Sequence, residues 1–188
     1  MDELVVWGKF KAGSEEEFSQ LYHYYAPVML RYGHRITTDR ELIRDSLQQV
    51  FYSLWRSRET LGNPASVRNY LLKAIRNEII KKANRDKLHE SLPEDYHFEL
   101  EDSHEQTLIQ LQAAEITRQR IADLLTQLPA RQREVIFLKY YANLKYDEIS
   151  AIMDIEQESV YKITYKAIAR LQKLLAGFSL LLFSLLHS

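Results

Sequence analysis

The stretch from Leu128 to Leu175 reads LPARQREVIFLKYYANLKYDEISAIMDIEQESVYKITYKAIARLQKLL, and its spacing decides what kind of chain this is. Pro129 can open a helix, because a first-turn residue needs no backbone donor. Val135, Ile136, Leu138 and Tyr141 supply apolar positions behind it, and Asn143 makes a break. A second helix from about Tyr146 to Met153 would bury Ile149 and Ile152, with Ser150 small enough for close helix contact. Asp154 stands where the chain must turn, and Asp tolerates the left-handed backbone of a tight turn. The third helix, from about Gln157, sets Val160, Ile163, Ala167, Leu171 and Leu174 on one face. Its other face carries Tyr161, Lys162, Tyr165, Lys166 and Arg170. Three short helices ending in a helix-turn-helix, apolar behind and basic and aromatic in front, have the layout of an element that enters a DNA groove. An ordinary helical hairpin with a solvated basic face has the same spacing, since helix-turn-helix periodicity is permissive.

Around this stretch, 188 residues leave room for one large or two small domains. A hydrophobic content of 46% is enough for cores, and only 5 Gly and 4 Pro favour long helices over a strand-and-turn fold. With no Cys, neither a disulfide framework nor a Cys-based zinc site is possible. His23, His34, His89, His97, His104 and His187 show no ligand-like spacing. No metal, cofactor or catalytic set is expected, for there is no glycine-rich phosphate loop, no H-E-x-x-H and no Ser/His/Asp or Cys/His arrangement. The opening MDELVVWGKF has no basic leader followed by a long apolar run, so a cytoplasmic chain is expected.

The net charge is −1, but its distribution is uneven. Residues 1–88 carry 15 basic and 11 acidic groups, residues 89–112 carry 7 acidic and no basic groups, and residues 113–188 carry 10 basic and 8 acidic. Two mildly basic lobes flank an acidic linker, whose composition supports disorder in isolation. In the first lobe, Ser14 to Glu17 and Thr38 to Glu41 both read as capping boxes. The first opens a helix with Phe18, Leu21, Tyr22 and Tyr25 on its inner stripe. The second opens one with Leu47, Val50, Phe51, Leu54 and Trp55 inward. After a turn at Gly62-Asn63-Pro64, Ser66 can cap a helix that buries Leu71, Leu72, Ile75 and Ile79. That helix would expose Arg68, Lys73, Arg76, Lys81, Lys82 and Arg85 as a basic edge. Beyond the linker, a helix from about Gln106 to Gln127 would lead into the second lobe through Ile121, Leu124, Leu125 and Leu128. The expected fold is therefore all-α: an N-terminal helical bundle over 1–88, a linker over 89–112 and a helix-turn-helix domain over 113–175. An apolar tail follows over 176–188. The apolar run that reaches this tail, from Leu174 to Leu186, is too short for a membrane span of ~17–25 residues. It reads as an extra turn or two of helix on the chain's own surface, or as a docking patch.

In its wording the 128–175 stretch resembles the fourth conserved region of bacterial RNA polymerase sigma factors: LP-x-RQREV-x-x-LKYY, then Y-x-EI-x-x-IM-x-I, then SVY-x-x-x-YKA-x-x-x-L. The first lobe is similar to their second region, through F-x-x-LY-x-x-Y from Phe18, D-x-x-QQVF-x-x-LWR from Asp45, and V-x-NYLLKAIRNEI from Val67. No further domain lies between the blocks, an arrangement that looks like the extracytoplasmic-function (ECF) subclass.

The resemblance implies a factor that directs core RNA polymerase to specific promoters. Asp45, Gln48, Gln49, Phe51 and Trp55 would bind the clamp helices of the β′ subunit, with further contact to the β subunit. Asn63, Arg68, Asn69, Tyr70, Lys73, Arg76, Asn77 and Lys81 would hold the melted minus-ten element. At the front of the recognition helix, Gln157, Glu158 and Tyr161 would read base edges of the minus-thirty-five element, while Lys162, Tyr165, Lys166 and Arg170 grip phosphates. It further implies an anti-sigma partner, often membrane-bound. Three positions depart from the family pattern: Gln49 where an acid is common, Glu156 where a capping Ser is common, and Ile163 where an arginine is frequent. Two other readings stand beside this one, a stand-alone helix-turn-helix regulator and a sigma-like decoy.

Overall fold

The structure, a computed structural model, describes residues 2–86 and 123–186, with side chains in the second segment as far as Leu175. Every element among the described residues is helical: α1 (Glu3–Lys11), α2 (Glu15–Ile36), α3 (Arg40–Ser57), α4 (Val67–Asp86), α5 (Ala130–Ile136), α6 (Tyr146–Met153) and α7 (Gln157–Leu186). A π-helical turn, Phe137–Tyr141, extends α5. The acidic linker and nearly all of the expected helix before the second lobe, Ile121 included, lie outside the described residues, which begin again with a helical turn at 123–126.

The first lobe is α1 to α4 around an aromatic centre. Phe18 stacks on Phe10 at 5.6 Å and meets Trp55 at 4.9 Å, while Phe51 meets Tyr22 at 4.9 Å. Trp7 of α1 anchors the loop before α4, its indole N–H donating to the Gly62 carbonyl at 3.0 Å. The α4 helix begins as expected, with the Asn69 N–H donating to Ser66 Oγ at 3.2 Å, and it buries Leu71, Leu72, Ile75 and Ile79. At Gly33 the helices α2 and α3 approach so closely that a Cβ would lie 2.6 Å from the Ile43 methyl group.

Neither expected capping box forms as read. Ser14 stands at the N-cap, but its hydroxyl donates to the Glu17 carboxylate, whose other oxygen takes Lys9 of α1 at 3.0 Å. Ser14 first and Lys9 second hold the Glu17 carboxyl below the usual carboxylate range. The pair ties α1 to α2 instead of closing a helix end. At α3 the cap is Asp39, not Thr38: its carboxylate accepts from the Leu42 N–H at 2.9 Å.

In the second lobe, α5 and α6 pack on α7. Asp154 has the positive φ expected of it, 53°, and the break at Asn143 takes the same left-handed backbone, with φ 52°. Pro129 is the N-cap of α5, one residue before its first turn. The π turn changes the inner face from that expected: Phe137 is buried and Tyr141 is 55% exposed. The α7 helix runs without a break through the apolar tail to Leu186. Among the described residues no helix is long and apolar enough to cross a membrane.

The lobes do not stand apart. Buried residues of both belong to one contiguous hydrophobic cluster, in which α2 packs on α5 and α4 on α6. Because α2 carries contacts to α3, α4 and α5, Gly33→Val is expected to lower unfolding stability by about 1–3 kcal/mol through overpacking against Ile43. Chemical denaturation followed by circular dichroism measures this, and an unchanged midpoint would show that α2 and α3 have room to spare.

Candidate nucleic-acid and polymerase interfaces

The outward surface of α3 is polar. Asp45, Gln48 and Gln49 are exposed, and Gln49 donates to Ser53 Oγ at 3.1 Å. The two aromatic residues expected beside them are placed differently. Phe51 is buried, 4% exposed, between Phe18 and Tyr22, so it serves the core. Trp55 is half-buried against Phe18, with the Arg58 guanidinium 4.7 Å above its ring. The exposed aromatic on this face is Tyr52, 60% exposed and four residues after Gln48. Helical spacing alone could have found it, since Tyr52 falls outside the Leu47–Val50–Phe51–Leu54 stripe.

The α4 residues fall into two stripes. Tyr70, Asn77 and Lys81 are exposed; Tyr70 meets the Trp7 ring edge-on at 5.5 Å, and Lys81 pairs with Glu78 at 3.4 Å. Asn63, in the loop before the helix, accepts from Lys11 Nζ at 3.0 Å, and Arg68 is half-buried. The second stripe, Asn69, Lys73 and Arg76, turns toward the other lobe. Asn69 Nδ2 donates to Glu148 Oε1 at 2.8 Å. Lys73 lines a cleft of about 440 Å³ opposite Asp147 and Glu148.

Arg76, expected on the exposed edge, is instead buried. Its Nε donates to Glu134 Oε1 at 2.6 Å, and the Tyr32 hydroxyl donates to the same oxygen at 2.6 Å. Arg76 is 8% exposed and Glu134 3%. Burial, and then the Glu134 charge, hold the Tyr32 hydroxyl well above its ordinary pKa, so it remains a donor. Such a pair gains little over an apolar contact, yet removing one partner strands a buried charge at about 3–5 kcal/mol. Its main effect is to fix where α5 sits on α2 and α4. Around it, Tyr32 stacks on Phe137 at 5.6 Å, and Arg31 and Arg35 lie over the Tyr141 and Phe137 rings at 5.4 and 5.7 Å. Helical spacing puts Arg76 on the buried stripe with Leu72, Ile75 and Ile79, at i, i+3, i+4 and i+7, but its charge argued for the exposed edge, and the partner that allows its burial, Glu134, lies 58 residues away.

The face of α7 expected to meet DNA is exposed. Gln157, Glu158, Tyr161, Lys162, Tyr165, Lys166 and Arg170 are all exposed, Tyr165 most of all at 77%. Its N-terminal end is partly organised: Tyr161 packs on Tyr146 at 4.0 Å, and Lys139 sits 4.5 Å over the Tyr146 ring. Lys162 is held by Glu158 at 2.7 Å, one turn earlier on the same face. Glu156 takes the N-cap position, its carbonyl accepting from Ser159 and Val160 at 2.9 and 3.2 Å. The arrangement offers three surfaces: a polar stripe on α3, a divided polar face on α4, and a basic and aromatic face on α7.

Comparison with known proteins gives these surfaces a family. The profile of Sigma-70 region 2 matches residues 21–88, and that of Sigma-70, region 4 matches residues 118–171. The chain is 25% identical over 156 residues to the ECF RNA polymerase sigma factor SigM of Bacillus subtilis, covering 82% of this chain and 93% of that protein. It is 28% identical over 153 residues to the ECF RNA polymerase sigma factor SigL of Mycobacterium tuberculosis, covering 81% and 85%. Two solved structures share the fold. One is CnrH in complex with the cytosolic domain of CnrY, with a TM-score of 0.63 and 18% identity over 93% of this chain and 97% of that one. The other is the sigma factor RpoE in complex with the anti-sigma factor NepR from Bartonella quintana, with a TM-score of 0.64 and 19% identity over 86% and 98%. With region 2 and region 4 in order on one chain, and with most of both ECF relatives covered, this protein belongs to the sigma-70 family of RNA polymerase sigma factors, in its ECF class.

Proposed function

We propose that the chain binds core RNA polymerase and directs it to specific promoters for transcription initiation. The observation that carries this reading is the pairing of the two sigma regions on one chain, each presenting a solvated polar helix face. The α3 stripe of Asp45, Gln48 and Gln49, with Tyr52 in the place expected of Phe51, would meet the β′ clamp helices, while the second lobe would sit against the β subunit. A stand-alone regulator gives no account of that stripe.

On α4 and the loop before it, Asn63, Arg68, Asn69, Tyr70, Lys73, Arg76, Asn77 and Lys81 would hold the melted minus-ten strand. Exposed rings stack on unpaired bases at about 1–3 kcal/mol per base, and amides and cations take the base edges and phosphates. On α7, Gln157, Glu158 and Tyr161 lie where a helix N-terminus reaches base edges in the major groove. Lys162, Tyr165, Lys166 and Arg170 follow along the same side toward the backbone. Glu156 and Glu158 oppose phosphate, so the second lobe alone would bind DNA weakly and depend on polymerase for its position. The template and the polymerase place this work in the cytoplasm. Because RpoE was captured with an anti-sigma factor, a partner of that kind is proposed here too.

Wild-type protein is expected to co-elute with core RNA polymerase on gel filtration, and Asp45→Ala with Tyr52→Ala to weaken that complex at least about tenfold, as loss of a central anchor does. Circular dichroism checks the fold of the variant. Undiminished co-elution would remove α3 from the interface. On α7, Glu158→Gln releases Lys162 for a phosphate. Fluorescence anisotropy with duplex DNA should then show tighter binding at low salt and a log–log salt slope steeper by about 0.9. An unchanged slope would mean that Lys162 does not touch the backbone.

A further inference from the structure

The cover on α7 runs out before the helix does. Val160 and Ala167 are fully buried where α5 and α6 pack on α7, Leu171 and Leu174 are half-buried, and Leu175 is 53% exposed among the described residues. The helical backbone nevertheless continues to Leu186, and the thirteen residues from Leu174 to Leu186 include ten apolar ones and no charge. At helical register these fall on every side of the axis, with Leu174, Leu175, Leu180 and Phe183 on four different ones. A helix that is apolar all round needs cover all round. The charge ahead of it has one sign. After Glu158 the chain carries no acidic residue, and Lys166, Arg170 and Lys173 are exposed at i, i+4 and i+7, the last of them next to Leu174.

We propose that this segment docks α7 on an anionic phospholipid bilayer, entering one leaflet while Lys166, Arg170 and Lys173 meet lipid phosphates. At ~1.5 Å per residue the segment is about 20 Å long, short of the ~30 Å hydrocarbon core, so it enters without spanning. Lys173 and Arg170 then stand within about 6 Å of its start, at the level of the headgroups. Cations at that level are drawn to anionic lipid. A second copy of the chain fits the segment less well. Leu171, Leu174, Phe178, Leu181 and Leu185 have the alternating spacing of a coiled-coil seam, but they make about two heptads where three or four are needed. Leu180, Leu182, Phe183 and Leu186 fall off that seam, and one partner helix would leave them in water. Lipid covers them all. Docking also withholds α7 from DNA, a consequence that rests on reading it as the minus-thirty-five face: Lys166 and Arg170 would grip DNA phosphates, and lipid phosphates claim the same two groups.

Flotation of the full chain with vesicles tests the docking. Binding to mixed phosphatidylcholine and phosphatidylglycerol should be at least about tenfold tighter than to phosphatidylcholine alone. Leu181→Glu with Leu182→Glu, placed beyond the packed part of α7 and checked by circular dichroism, should abolish it. No flotation of the wild type, equal binding to both vesicles, or undiminished flotation of the variant would overturn the docking. Wild type that stays off vesicles but sediments as a dimer, which the variant dissociates, would assign the tail to a second copy instead. Fluorescence anisotropy with duplex DNA at low salt reads the competition. Anionic vesicles in an excess that docks nine-tenths of the wild type should lower its apparent DNA affinity about tenfold and leave the variant unchanged. DNA affinity unmoved by vesicles, or lowered equally in both proteins, would overturn the competition. If neither protein binds duplex even without vesicles, the DNA reading of α7 fails and the competition with it, while flotation still decides the docking.

Discussion

A carboxylate buried away from water must find donors, and Glu134 finds both of its own in the other lobe. The Tyr32 hydroxyl comes from α2 and the Arg76 guanidinium from α4, each at 2.6 Å from one oxygen. Directional bonds of that length admit little sliding, so the triad sets the angle and depth at which α5 lies across α2 and α4. The surrounding apolar contacts follow from it: Phe137 reaches Tyr32 because the π turn rotates it inward, and Ile149, Ile152 and Leu138 are buried in a cluster shared with Leu71 and Ile75. Gly33, next to Tyr32, keeps α2 close enough to α3 for Tyr32 to sit where it does.

That arrangement sorts the functional surfaces by accessibility. The α3 stripe and the basic and aromatic face of α7 are exposed, while α4 is split between an exposed stripe led by Tyr70 and a covered one centred on Arg76. Local order is already present where recognition would need it: the Lys139–Tyr146–Tyr161 stack limits the rotamers of Tyr161, and Trp7 pins the loop that carries Asn63. Side chains held before binding lose less entropy on meeting a ligand, so such positions suit specific contacts better than mobile ones.

Much of the fold was legible because it is encoded locally. Asn143 and Asp154 mark turns by tolerating positive φ, Ser66 caps α4 through its own hydroxyl, and the buried residues of α4 recur at helical spacing. What stayed hidden depends on residues far apart in the chain. The first helix carries Leu4, Val5, Val6 and Trp7 in succession, so its apolar residues ring the helix and show no stripe, although Asp2 caps it plainly. Glu17 looks like a capping-box acid until Lys9 claims it. Phe51 and Trp55 fit a binding face and a core stripe equally well by type; packing against Phe18 decides for the core and leaves Tyr52 outside. Arg76 belongs to a basic edge by residue type, yet its spacing with Leu72, Ile75 and Ile79 puts it on the buried face, where the distant Glu134 receives it. Exposure was easiest to read on the outer face of α7, where all seven residues expected to be open are exposed.

The central claim, that this chain selects promoters for RNA polymerase, is tested most directly by transcription in vitro. Core polymerase reconstituted with the full-length protein on genomic DNA, with transcript 5′ ends mapped by sequencing, should yield a discrete set of start sites preceded by shared minus-ten and minus-thirty-five sequences, absent with core alone. A start-site profile indistinguishable from that of core polymerase alone, from a protein shown to be folded, would contradict it.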